Sequence, residues 1–278
     1  MRKDHHSKAF EFWKRGHIDL AKRKIAEGID ITPAIANLLC KELRIMGVEF
    51  YVAPYEADAQ LMYMYKEGLA DVIITEDSDL LAYGCEKVLF KMDGKGFGEE
   101  IDIKNIGKIT KPSFSSFTKE DFVKTWILSG CDYIEGIKGV GFRKAHKYVS
   151  RIKEKGIKYI LNEFRQNKNL SVPKDYEYQF NLARLTFKYQ LVYCPKREKI
   201  VHLYEPEEDI IKFQKTPEYL KFKKASDVKK LMCTPSKLNV KHLGKRIALS
   251  IVDPMTHGAF EKVNITHQLP DLLKHYSK

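Results

Sequence analysis

Cysteine is scarce and poorly placed for pairing. The 278 residues hold 5 cysteines, at positions 40, 85, 131, 194 and 233. The number is odd, and no two stand in a C-x-x-C spacing. A disulfide framework and a cysteine zinc site are both disfavoured, and a reducing compartment is the default. Long apolar runs are also missing, so no stretch approaches the roughly 20 residues of a membrane-spanning helix. A secretory signal is absent as well. Residues 1–28 read as a helical hairpin hinged at Gly16, yet no copy of it recurs at a 34-residue offset, which excludes a repeat array. No serine or histidine stands with the partners a nucleophile needs.

What the chain has is positive charge. It carries 49 Lys and Arg against 37 Asp and Glu, a net +12 with a pI near 9.2. Its 44% hydrophobic content suits one large α/β domain, or one domain with an extension. Such a balance points to a polyanionic partner, most simply nucleic acid. A lysine-rich background would give the same sum, so charge alone does not decide.

Against that background, four carboxylates gather in one stretch. Glu56 and Asp58 follow the apolar run Val48–Ala53, and Asp77 and Asp79 follow Asp71–Thr75. Each run is short, mostly branched or aromatic, and followed by a helical pattern, the signature of strand–helix–strand units in a parallel sheet. Ligands of open parallel sheets bind beyond the carboxyl ends of the strands, so both pairs are expected at one edge. Like charges this close repel and raise one another's pKa. A divalent cation with oxygen ligands relieves that repulsion, and two such ions about 4 Å apart suit phosphodiester cleavage. Either pair alone reads more simply as a solvated helix cap. The coincidence of both favours a cation site.

Further along, the spacing predicts helices over Pro33–Met46, Glu56–Glu67, Thr118–Leu128 and Asp175–Tyr189. A hairpin is expected from Val88–Lys91 into Glu100–Ile103, and extended segments at Val192–Pro195 and Lys199–Leu203. Ile35, Leu38, Leu39, Leu43 and Met46 form an apolar stripe expected in the core. The turn Gly139-Val140-Gly141 opens a helix, where backbone N–H groups and the helix dipole favour a phosphate. From Arg143 to Lys168 there are nine Lys or Arg against Glu154 and Glu163, a plausible grip on a nucleic-acid backbone. Phe114, Phe117, Trp126, Tyr133 and Phe142 suit a core better than base stacking. His146 is read as either exposed or near phosphate, and His5-His6 as part of an unstructured terminus. The stretch 212–246 is lysine-rich with weak periodicity.

Three signatures together resemble the flap endonuclease/XPG nuclease superfamily, most of all its exonuclease 1 members. They are Ala53-Pro-Tyr-Glu56-Ala-Asp58-Ala-Gln60, Thr75-Glu-Asp77-Ser-Asp79-Leu-Leu and Leu128-Ser-Gly-Cys-Asp132-Tyr, joined by the Gly139-Val-Gly141 turn of a helix–two-turn–helix. The resemblance covers roughly residues 7–203. It implies a PIN-like α/β fold, a parallel sheet flanked by helices. It implies a two-metal nuclease, cutting 5′-to-3′ or at flaps, that uses Mg²⁺ with Mn²⁺ as a substitute. Glu56 and Asp58 match the family's ligands for a first metal. Asp77, Asp79 and Asp132 match those for a second. Ser129, Gly136 and Val140 match positions that coordinate K⁺ at the helix–two-turn–helix. Lys138, Gly139, Gly141, Arg143 and Lys144 match its duplex-binding stretch.

The implied partner is double-stranded DNA with a 5′ end, nick or flap. No membrane is involved, the compartment is the nucleus, and mismatch-repair or replication proteins are the implied protein partners. The domains expected are 1–30 as remnant of a helical arch, 31–117 as internal nuclease core, 118–203 as the helix–two-turn–helix region, and 204–278 as a basic extension. The family's N-terminal segment and two further early aspartates have no match here, so a truncated form is expected. Arg2, Lys3 and Lys8 then match the arch's basic residues. A non-catalytic duplex-binding fragment is the rival expectation.

Overall fold

The computed structural model describes residues 2–28, 31–152, 155–206, 208–222, 242–252, 254 and 259–260. The chain forms two compact units, Met1–Val52 with Arg246–Lys278, and Ala53–Lys245. The lysine-rich 223–241, the tail from 261 and the side chains of Arg2 and Lys3 lie outside the described residues.

In the first unit, helices α1 (Arg2–Lys14) and α2 (Ile18–Gly28) form the expected hairpin, with the turn at Gly16 in the left-handed region at φ +77°. Ala9, Ala21 and Ile25 are its buried contacts. The His5-His6 segment is helical rather than unstructured, being part of α1, which packs on α2 through buried Ala9. Helix α3 (Pro33–Ile45) starts as expected, with Thr32 Oγ1 accepting from the Ile35 N–H and Pro33 in the first turn. Its apolar stripe is not core: Leu39 is 63% and Met46 72% exposed. The helix is held instead by polar contacts. Ser250 Oγ donates to buried Asn37 Oδ1, and Arg44 Nη2 donates to Leu249 O. Val48–Ala53 is extended without being a strand. No described strand flanks it, and the Val52 N–H donates to Ala248 O instead.

The second unit is α/β. Helix α4 (Ala57–Lys66) precedes β1 (Ile73–Thr75), and α5 (Asp79–Tyr83) crosses over to β2 (Lys87–Phe90), which runs parallel to β1 with Ile73 opposite Val88. Strand β3 (Glu99–Asp102) returns antiparallel to β2, as the predicted hairpin requires. Helix α6 (Lys119–Ser129) begins with a capping box in which Thr118 and Asp121 exchange hydrogen bonds. Helices α7 (Phe142–Arg151), α8 (Ile157–Gln166) and α9 (Tyr176–Tyr189) follow, then the hairpin β4 (Leu191–Cys194) and β5 (Lys199–His202). Phe114, Leu80, Ile127, Leu128, Ala145 and Phe164 share one continuous core. Helices α10 (Glu208–Gln214) and α11 (Pro217–Phe222) add Phe213 and Tyr219 to a smaller cluster on α9 with Tyr178 and Tyr189. A last helix, α12, covers Leu243–Ala248.

Gln60, the last residue of the first signature, ties α4 to β4. It is 5% exposed; its Nε2 donates to Tyr193 O at 2.9 Å, and the Tyr193 N–H donates to its Oε1 at 2.7 Å. Gln60→Leu keeps the volume but strands a buried N–H and C=O. Each such orphan costs about 1–3 kcal/mol, so chemical denaturation should show a loss of about 2–4 kcal/mol. A loss below ~0.5 kcal/mol would contradict this role.

Candidate functional site

The acidic site is built by three segment ends. Glu56 is the N-cap residue of α4 and Asp58 lies in its first turn, so both leave the helix at its positive end. Glu56 makes no side-chain capping bond, which removes the simple cap reading for that residue. Asp77 and Asp79 arrive just beyond β1. The Asp77 N–H donates to Thr75 Oγ1, and the Asp79 N–H donates to Asp77 Oδ1, both at 2.9 Å. Asp77 thus fixes the start of α5 while its second oxygen stays clear of that bond. Asp132 follows α6 in the tight turn closed by the Cys131–Ile134 bridge.

Electrostatics show that the five carboxylates share one place. Burial pushes the Asp58 carboxyl up to about 7, assisted in descending order by Asp77, Asp79, Glu56 and Asp132. Asp79 is 8% exposed, and burial raises its pKa too, opposed by a hydrogen bond from the Trp126 indole. Glu56, Asp77 and Asp132 stand exposed at the mouth. The donors are all oxygens, the set that hard divalent cations prefer. The raised Asp58 shows the repulsion such a cation would relieve. No group of three or more Asp, Glu, His or Cys side chains is closed to ligating geometry among the described residues. The cluster is gathered but its side chains are not converged, and Mg²⁺, which keeps several waters, needs few direct carboxylates.

The floor of the site is aromatic. The Tyr83 and Tyr133 hydroxyls hydrogen-bond each other, and both rings pack edge-on against Phe187. Burial raises both phenols, so they remain neutral beside the carboxylates. Burial also pushes the Cys131 thiol up to about 11, which leaves it no role as a thiolate. Of the aromatics, Phe114 is buried core, and Trp126, Tyr133, Phe117 and Phe142 pack against that core. His146 is neither exposed nor poised for phosphate. Its Nε2–H donates to Ser113 O and its ring stacks on Phe117 at 4.6 Å.

The glycine turn carries the second feature. At Gly130, φ is +97°, and an added Cβ would stand 3.0 Å from Gly136 N. A Cβ at Gly136 would stand 2.7 Å from Ser129 O, so both glycines are required for the backbones to meet. Gly141 caps α7, which buries Ala145, His146 and Val149 and exposes Arg143, Lys147 and Arg151. Lys138 is exposed on the turn. Lys144 is used locally, its Nζ donating to Gly139 O at 3.2 Å. Trp126 and Tyr83 as neighbours of the carboxylates escaped the sequence reading. A lone aromatic on an amphipathic helix gives no sign of where its polar atom points.

The Asp58 shift sets a pH dependence. The native carboxyl keeps its proton up to about 7, whereas the ordinary value is 3.8. Between those limits the native state binds more protons than the unfolded state, so this group lowers stability as pH rises. Denaturation in chelator should show that slope, and Asp58→Asn should flatten it. An unchanged slope in the variant would contradict the clustering.

Comparison with known proteins gives the same frame. Residues 47–132 match the XPG I-region, a span that contains all five carboxylates. Exodeoxyribonuclease 1 of Schizosaccharomyces pombe is 40% identical over 214 residues, covering 75% of this chain and 37% of that protein. Exonuclease 1 of Arabidopsis thaliana is 33% identical over 270 residues, 96% of this chain and 34% of that protein. The chain thus spans about a third of the length of these relatives. Among solved structures, flap endonuclease-1 from Methanococcus jannaschii overlaps at a TM-score of 0.42 with 23% identity, covering 55% of this chain and 44% of that one, too loosely to add to the fold. No helix among the described residues is long and apolar enough to cross a membrane. With the XPG I-region over its acidic site and exonuclease 1 proteins as its relatives, the chain belongs to the flap endonuclease/XPG nuclease superfamily.

Proposed function

We propose that this chain is a metal-dependent, structure-specific DNA nuclease of repair that hydrolyses phosphodiester bonds at or near a 5′ end; its relatives carry the names exodeoxyribonuclease 1 and exonuclease 1. The observation that carries the reading is the coupling of Asp58 to four other carboxylates gathered from three segments. Such a set is costly without a cation. Glu56 and Asp58 are proposed for a first Mg²⁺ or Mn²⁺, and Asp77, Asp79 and Asp132 for a second. Two divalent cations bound there would supply an activated water and stabilise the departing oxygen.

The protein's own part is positioning. The first turn of α4 and the turn beyond β1 aim the carboxylates. The packed Tyr83–Tyr133 pair gives them a rigid floor. Exposed Arg143 and Lys147 on α7, with Lys138 on the turn before it, form a face for duplex phosphates. Gly139 and Gly141 let the backbone approach that strand. Ser129, Gly136 and Val140 are proposed to hold K⁺ there, supported by the close approach of Ser129 O to Gly136. Lys144, whose Nζ donates to Gly139 O, is proposed to meet phosphate beside that turn. Nuclear DNA with a nick, flap or recessed 5′ end is the proposed substrate, with mismatch-repair or replication proteins as partners.

The test is cleavage of a duplex with a labelled, recessed 5′ end by this chain in Mg²⁺. Asp77→Ala and Asp132→Ala should each lower the rate about 10²-fold or more while duplex affinity holds or tightens, because phosphate repulsion falls. Cleavage that persists in both variants would overturn the reading. Salt-sensitive duplex binding without any cleavage would favour the rival, a non-catalytic DNA-binding fragment. Separately, Arg143→Ala should weaken duplex binding across sequences and reduce the salt slope by about 1. An unchanged slope would remove α7 from the interface.

A further inference from the structure

The Asp79 carboxylate accepts from the Asp132 backbone N–H and, from the core, from the Trp126 indole. Trp126 lies on α6, stacked on Phe122 with ring centroids 5.5 Å apart and edge-on to Phe142 at 5.4 Å. Its Nε1–H donates to Asp79 Oδ1 at 2.6 Å. The acceptor is the most buried of the five carboxylates. An indole can only donate, so this bond needs Asp79 to accept. A charge-assisted hydrogen bond to a buried carboxylate is among the stronger ones a protein makes. Phe142 is also the first residue of α7, so one indole touches the metal-ligand candidate and the start of the basic helix.

We propose that Trp126 is a positioning residue for the metal site: its indole N–H holds Asp79 Oδ1 and so fixes the orientation in which this carboxylate meets the cation. The inference rests on the metal reading of the cluster. It goes beyond the superfamily signatures, none of which includes position 126. Partner groups that orient a ligating carboxylate commonly change metal affinity by about 10–100-fold when removed.

The chain makes the test clean, because it holds 2 tryptophans, Trp13 and Trp126. In a Trp13→Phe protein, Trp126 is the sole indole, and Mn²⁺ alone should quench its emission with the midpoint that calorimetry gives for Mn²⁺ binding. Trp126→Phe keeps the aromatic packing and removes the donor. It should weaken Mn²⁺ binding about 10–100-fold, and Trp126→His, which restores a ring N–H, should recover part of the loss. Wild-type Mn²⁺ affinity in Trp126→Phe would overturn the positioning role while leaving the metal site intact. Should that variant not fold, the Trp13→Phe protein decides: calorimetric Mn²⁺ binding with unchanged emission overturns the role. No Mn²⁺ heat and no quenching in any form would instead sink the metal site itself.

Discussion

Mutual repulsion of carboxylates governs the larger unit of this protein. Glu56, Asp58, Asp77, Asp79 and Asp132 come from three separate segment ends, and the field of the other four reinforces burial in holding Asp58 protonated up to about 7. A fold does not gather five acids by default, since each added charge disfavours the next. Much of the surrounding architecture serves to hold them regardless. The crossover from β1 through α5 to β2 fixes Asp77 and Asp79, the capping box fixes the start of α6, and the two-glycine contact after α6 fixes the turn that carries Asp132.

The positive charge of the chain has its complement in that cluster. A net +12 favours a polyanion near the surface, while the acids repel it locally. Helix α7 concentrates the attraction on one exposed face, and its opposite face is locked into the core through Ala145 and Val149. The proposed phosphate face and the proposed metal site thus lie on neighbouring elements, with Trp126 and Phe142 in contact between them.

Much of this was legible in the sequence, for particular reasons. Thr32 and Thr118 announced their helices because capping is local chemistry that a few residues specify. The hairpin from Val88–Lys91 into Glu100–Ile103 was legible for the same reason, and in its turn Asp93 Oδ1 accepts from the Lys95 and Phe97 N–H groups. The nearness of the acidic pairs was readable because two apolar runs each ended in one, and Asp58 does feel Asp77 and Asp79. What failed was non-local. Val48–Ala53 has strand composition, yet a strand exists only with a neighbour to pair with, and here its backbone bonds to residue 248 instead. The apolar stripe of α3 has core periodicity, yet periodicity does not say whether anything covers the face. His146 looked like a surface residue among lysines, and only the fold reveals Ser113 and Phe117 around it. Gln60 passed as part of a signature for chemistry and proves to be a structural bridge.

The central claim is that the five carboxylates form one cation-binding site. The most direct measurement is anomalous diffraction from crystals of this chain grown with Mn²⁺, collected at the manganese edge. The account predicts anomalous peaks bounded by Glu56, Asp58, Asp77, Asp79 and Asp132, lost in crystals of an Asp77→Ala, Asp132→Ala protein. Manganese bound only elsewhere, or no peak within reach of these oxygens in well-occupied crystals, would contradict it.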